Sequence, residues 1–204
     1  MCFHIRISST LEEITERFQV IIENNTINFN PGDFNAFTFP YLPVITNKNP
    51  EKLQFYRWGL IPTWSKNEEI KKFTLNARWE SLKQKPSFKS SIKNHCLIIV
   101  DGFYEWKWLD PKGKRKQKYF ITVDKPFKKP FAIAGLYNEW ISPDTGEYIP
   151  TFTLITVKAK GIMEEIHNTK KRMPLILHES IEKEWLKNPD LKIFPDVPLF
   201  AEPV

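Results

Sequence analysis

Two cysteines, Cys2 and Cys96, are all the thiol that the 204-residue chain carries. That is too few for a disulfide framework, and with no Cys-x-x-Cys there is no thiolate zinc site to expect. The four histidines, His4, His95, His167 and His178, lack zinc-ligand spacing, so no metal is expected. Seven glycines leave no phosphate loop and no dinucleotide fingerprint, and no cofactor is expected either. No apolar run approaches the roughly 20 residues of a membrane span. The opening Met1-Cys2-Phe3-His4-Ile5-Arg6 lacks the apolar centre of a signal peptide. These absences point to a cytoplasmic protein with no membrane partner, and a monomer is expected.

What is present is basic and aromatic. The formal net charge is +6, and sixteen Phe and seven Trp accompany it. Cations beside aromatic faces are how proteins hold unpaired bases, although most of these rings must fill a core. Hydrophobic residues make up 41% of the chain, and neither a repeat nor a composition break divides it, so 1–204 reads as one domain.

Periodicity predicts a helix over Ser9–Asn24, opened by a capping box of Ser9 and Glu12. Residues 26–49 read as loop, with Pro31, Gly32, Pro40 and Pro43 as breakers. A strand is predicted over Leu53–Trp58, and short helices broken at Pro86 over Lys66–Lys93. Strands follow over Cys96–Val100, Phe103–Trp108, Tyr119–Val123, Phe131–Tyr137 and Thr151–Val157. Turn residues at 110–113 and 142–146 join them. Gly161–His167 and Ser180–Leu186 read as helices, and the proline-rich tail as a surface wrap. Short links favour antiparallel pairing, so the expected fold is α+β: a curved antiparallel sheet or barrel flanked by helices.

Three features carry chemistry. Glu105 stands among large aromatics in Gly102-Phe103-Tyr104-Glu105-Trp106; a desolvated carboxylate there is a general acid, and an outward-facing one is nothing. Asn76-Ala77-Arg78-Trp79-Glu80 is polar where a strand pattern does not ask for it. Cys2 can become the amino-terminal residue. It would then carry a thiol beside an α-amine of reference pKa about 7.7–8.0, partly neutral at physiological pH. Such an amine converts an aldehyde to an imine, which the thiol can close to a five-membered thiazolidine. The plain alternative is a chance cysteine on a frayed end. Cys96, in Cys96-Leu97-Ile98-Ile99-Val100, reads as buried filler.

Taken in order, Met1-Cys2, Trp58-Gly59-Leu60-Ile61-Pro62-Thr63-Trp64, Asn76-Ala77-Arg78-Trp79-Glu80, Asp101 to Trp106, Ala134-Gly135-Leu136-Tyr137 with Trp140, and His167 followed by Arg172-Met173-Pro174 resemble the SRAP family, the SOS-response-associated peptidases. The resemblance implies a protein that bonds covalently to abasic sites in single-stranded DNA through Cys2, once Met1 is removed, autocatalytically or otherwise. Carried over, Cys2 is the nucleophile, Asn76 holds its amine, Glu105 moves protons as the sugar opens, and His167 assists at the imine. Arg78, His4 and Arg172 would face DNA, and Trp64 would lie by the base stack. The chain departs from the family at Phe3-His4, where Gly-Arg is usual, in the loop Phe34–Pro40, and at Asn168-Thr169-Lys170-Lys171, which lengthens the link from His167 to Arg172. Two rival functions stand beside it: a cysteine peptidase acting on other proteins through the same Cys2, Glu105 and His167, and a non-covalent single-strand binder with a structural Cys2, which needs no polar trio.

Overall fold

The computed structural model describes residues 2–23, 28–123 and 129–204. Strand β1 (His4–Ile7) leads into helix α1 (Leu11–Phe18), then β2 (Ile21–Ile22), β3 (Gly32–Asn35), β4 (Tyr41–Thr46) and β5 (Lys52–Trp58). Next come β6 (Asn76–Arg78) and the one-turn helix α2 (Pro86–Lys89). The central strands are β7 (His95–Val100), β8 (Gly102–Trp108), β9 (Lys116–Thr122), β10 (Phe131–Ile141) and β11 (Tyr148–Lys158). Helix α3 (Ile162–Ile166), β12 (Arg172–Pro174), β13 (Ile176–Leu177), α4 (Glu179–Lys187) and β14 (Phe200–Pro203) complete the chain.

Strands β5, β4, β7, β10 and β11 pair in that order, and β11 returns to β5 in parallel through Thr151–Arg57 and Phe152–Trp58. The ring is therefore closed, which removes the unpaired edges an open sheet would expose. Strand β7, His-Cys-Leu-Ile-Ile-Val, is buried at every position. That fits a strand lining the barrel inside and covered outside by α4, where the Trp185 indole donates to the Cys96 carbonyl at 3.0 Å. Gly135 lies opposite Cys96, and a methyl there would meet its sulfur at 2.8 Å. A second sheet, β14-β9-β8-β1-β3, is entirely antiparallel and joins the barrel through Asp101, between β7 and β8. The expected fold class holds: antiparallel pairing dominates, the core is a barrel, and helices flank it.

Several boundaries need correcting. The helix ends at Phe18, not Asn24, because Gln19 turns left-handed and the chain pairs as β2; Asn24 itself lies outside the described residues. Its capping box is Thr10 with Glu13. Ser9 cannot cap, because its hydroxyl donates to Asp101 at 2.6 Å. Asp101 also accepts from the Ser8 and Ser9 amides, a three-bond knot that fixes β1 to the β7–β8 junction. The supposed loop at 26–49 contains β3 and β4. Pro43 sits inside β4 facing Phe55, before the β4–β7 ladder starts at Val44, so its missing N–H costs nothing there. Pro86 opens α2 rather than breaking a helix. Strand β1 and the three-residue β6 were not expected, and the tail ends as β14 on β9. No helix of the described residues is long and apolar enough to cross a membrane.

Candidate active site

The site forms where the two sheets meet. Cys2 lies two residues before the start of β1, and its side chain is wholly buried. β1 lies against β8 with His4 opposite Tyr104 and Ile5 opposite Phe103, which brings the chain start to the strand that carries Glu105. β6 adds in parallel to β11, placing Asn76 opposite Leu154. The Asn76 amide donates from Nδ2 to the Cys2 carbonyl at 2.9 Å. The clamp therefore reaches residue 2, but at its carbonyl rather than its nitrogen. The Asn76 Oδ1 atom is buried and without a hydrogen-bond partner among the described residues. An orphan acceptor of this kind is costly and suits a site that receives another donor. Met1, whose removal the resemblance requires, lies outside the described residues.

Glu105 and His167 complete the group. They are 6% and 5% exposed, and Oε2 of the acid lies 3.7 Å from Nε2 of the imidazole. Alternation along β8 puts Glu105 on the face opposite Tyr104 and Trp106. Of the aromatics beside it in sequence only the buried Phe103 shares its face, and α3 packs on the same strand. Desolvation by burial pushes the Glu105 carboxyl up to about 7 and the His167 imidazole down to about 4. The Cys2 thiol is pushed well above its ordinary value, first by burial and then by the Glu105 charge. Near neutrality the site therefore holds a protonated thiol, a neutral imidazole and a carboxyl that is about half protonated. That is a set for moving protons rather than for a standing ion pair.

This pair has a consequence for stability against pH. A raised acid stabilises the fold at low pH and loses that as pH rises from 4.5 to about 7. A depressed histidine does the opposite, losing stability as pH falls from 6.5 to about 4. In the shared window the unfolded chain carries one proton on His167 and the folded chain carries one on Glu105, so the two slopes cancel. Urea melts are expected to show Glu105→Gln losing stability on acidification and His167→Gln losing it on alkalinisation. Each change should be about 2 kcal/mol across the window. Slopes of the same sign in both variants would contradict the assignment.

The DNA-facing candidates separate. Arg78 is exposed two residues beyond Asn76, on the same face of β6. Trp64 is 55% exposed, its indole N–H reaching the Pro86 carbonyl at 3.4 Å. His4 stands edge-on to Trp106 at 5.0 Å. Burial and then Lys118 lower its pKa, so it supplies a neutral ring where a cation was looked for. Arg172 is committed: it forms a two-point pair with Glu80 at 2.8 and 3.0 Å, and Nη2 also donates to the Thr156 carbonyl at 2.6 Å. It ties the turn after β6 to β11 and is not an open phosphate contact. Sequence reasoning missed Asp101 as an organiser, although an acid closing an apolar strand was visible. Among the described residues there is no group of three His, Cys, Asp or Glu placed to hold a metal.

The family model for SOS response associated peptidase (SRAP) matches residues 1–195. A relative in Bacillus subtilis, abasic site processing protein YoqW, is 39% identical over 193 residues, covering 93% of this chain and 83% of its own. The Gallus gallus abasic site processing protein HMCES is 35% identical over 153 residues, covering 64% of this chain and 44% of its own. A crystal structure of a Bacteroides thetaiotaomicron protein superposes with a TM-score of 0.87 at 34% identity, covering 100% of this chain and 92% of the other. On this match the chain belongs to the SRAP family.

Proposed function

We propose that this protein processes abasic sites in single-stranded DNA by forming a thiazolidine crosslink through Cys2 after Met1 has been removed. The observation that carries the reading is the convergence of Cys2, Asn76, Glu105 and His167 from four separate stretches of sequence. The names of the relatives point to the same substrate class. While Met1 remains attached, the Cys2 nitrogen is an amide and cannot attack. Once freed, the amine adds to the aldehyde of the opened sugar, and loss of water leaves an imine. The thiol then adds to the imine carbon; its sulfur bonds to carbon and its proton ends on nitrogen. One water is released in all. Glu105 in its acid form protonates the ring oxygen as the sugar opens, and the neutral His167 accepts a proton as the carbinolamine collapses. The raised thiol fits this order, because ring closure is intramolecular and does not depend on a standing thiolate.

The mature protein mixed with abasic and intact oligonucleotides, single- and double-stranded, and run on a denaturing gel, tests this reading. A band stable to denaturant is expected with the abasic single strand only. A peptidase acting on other proteins, or a non-covalent binder, gives none. Binding to intact single strands is expected to weaken with salt by about 0.7 log units per phosphate per log unit of salt. Arg78 should contribute about one such phosphate. Lys72 pairs with Glu69 on the surface, and such an exposed pair yields readily to phosphate, whereas Lys71 is half-buried against Glu68, which also holds Arg57. Affinity unchanged between low and high salt would rule out the electrostatic part.

A further inference from the structure

His167 follows α3, a five-residue helix, and so short a helix has no stability of its own. The position of its ring must be set by tertiary contacts. The four residues that lengthen this link, Asn168 to Lys171, form one closed turn: the Lys171 amide donates to the His167 carbonyl at 3.0 Å, with Lys171 left-handed at φ 49°. The Arg172 N–H approaches His167 Nδ1 at 3.4 Å. Asn168 leaves this turn and joins the sheet. Its Oδ1 accepts from the Trp108 N–H at 3.1 Å, and its Nδ2 donates to the Trp108 carbonyl at 2.8 Å. One side chain thus satisfies both backbone groups of the last residue of β8, as a neighbouring strand would.

Trp108 lies three residues beyond Glu105 on the same strand, about 10 Å at the usual rise. The consecutive residues His167 and Asn168 therefore touch β8 at two separated points, one at the catalytic carboxyl and one at the strand end. A single contact fixes a position; two spaced contacts also fix an orientation.

We propose that Asn168 is a positioning residue, whose carboxamide clamps the His167 turn to β8 and sets the approach of the imidazole to Glu105. This rests on the reading of Glu105 and His167 as the proton-moving pair. Asp at this position keeps the acceptor but cannot donate to the Trp108 carbonyl, and Ala keeps neither. The charged groups acting on the ring are the chain's amino-terminal charge, Glu105 on β8 and, from its own turn, Lys170 and Arg172. With the clamp gone the ring moves toward solvent.

The test compares the whole mature protein with Asn168→Ala, Asn168→Asp and, in the same turn, Thr169→Ala. It reads the pH–rate profile of adduct formation on an abasic single-stranded oligonucleotide, the His167 ring titration by NMR, and the thermal melt. Asn168→Ala and Asn168→Asp are expected to melt cooperatively, to form adduct roughly 10- to 100-fold more slowly, and to move the His167 midpoint upward toward that of an exposed histidine. Thr169→Ala should match the parent in all three. A His167 titration unchanged in both Asn168 variants overturns the proposal, and so does an equal shift in Thr169→Ala. If the parent forms no adduct, the crosslinking function fails, while the His167 titration still decides the clamp.

Discussion

Cys2→Ala is expected to abolish the denaturant-stable adduct, from most of the abasic strand captured to none above background. The α-amine survives this change, so an imine can still form, but nothing can close it, and an open imine hydrolyses in the denaturing sample. Cys2→Ser should behave alike, giving at most a reversible adduct. Treating either variant with borohydride during incubation, which delivers hydride to the imine carbon, should restore a permanent crosslink as a secondary amine. That rescue separates loss of the ring from loss of the fold. Cys96 cannot substitute: it lies within β7, so its own nitrogen is a peptide amide and no α-amine stands beside its thiol to form the imine. A normal, stable adduct in Cys2→Ala without borohydride would falsify the mechanism. A parent protein that crosslinks while intact mass shows Met1 still attached would do so as well, because an amide nitrogen forms no imine.

The apolar runs of the second half were legible because they are long and continuous. Cys96 to Val100 has no polar residue to blur it, while β10 continues past its expected end through Asn138 and Glu139 to Ile141 and β11 begins earlier, at Tyr148. The short elements were not legible. β1 alternates His-Ile-Arg-Ile, a proper half-buried strand, but four residues beside the terminus are too few to stand out. β6 exists because β11 offers it an edge, a fact no local pattern contains. The capping box slipped by one residue because Ser9 and Thr10 are equally good caps, and a distant acid, Asp101, takes the first. The site residues came from motif order. What the sequence withheld was which atom Asn76 grips, that Arg172 belongs to Glu80, and that Asn168 reaches the backbone of Trp108. Each depends on a partner tens of residues away.

Glu105→Gln is expected to slow adduct formation by about 100- to 10,000-fold, the usual loss when a positioned acid or base is removed, while affinity for intact single strands changes little. Glutamine keeps the size and a hydrogen-bond donor but cannot release a proton to the sugar oxygen. The pH dependence sharpens the test. Burial holds the Glu105 carboxyl up to about 7, so the acid is present below neutrality and lost above it. Because the α-amine must also lose its proton, at a reference pKa of about 7.7–8.0, the parent rate should be bell-shaped near neutrality, and Glu105→Gln should lose the alkaline limb. His167→Ala acts on the other half of the relay. With its imidazole held down to about 4, the ring is neutral across the working range, so its removal should lower the rate while leaving the Glu105 limb in place. The rings and carboxyls of the pair are only 3.7 Å apart, so the two losses should not add. The double variant should be little worse than Glu105→Gln, because the two groups act as one unit on successive steps and the slower step sets the rate. Fully multiplicative losses would mean that both contribute independently to one rate-limiting step. A Glu105→Gln variant that crosslinks at the parent rate would remove the carboxyl from the chemistry altogether.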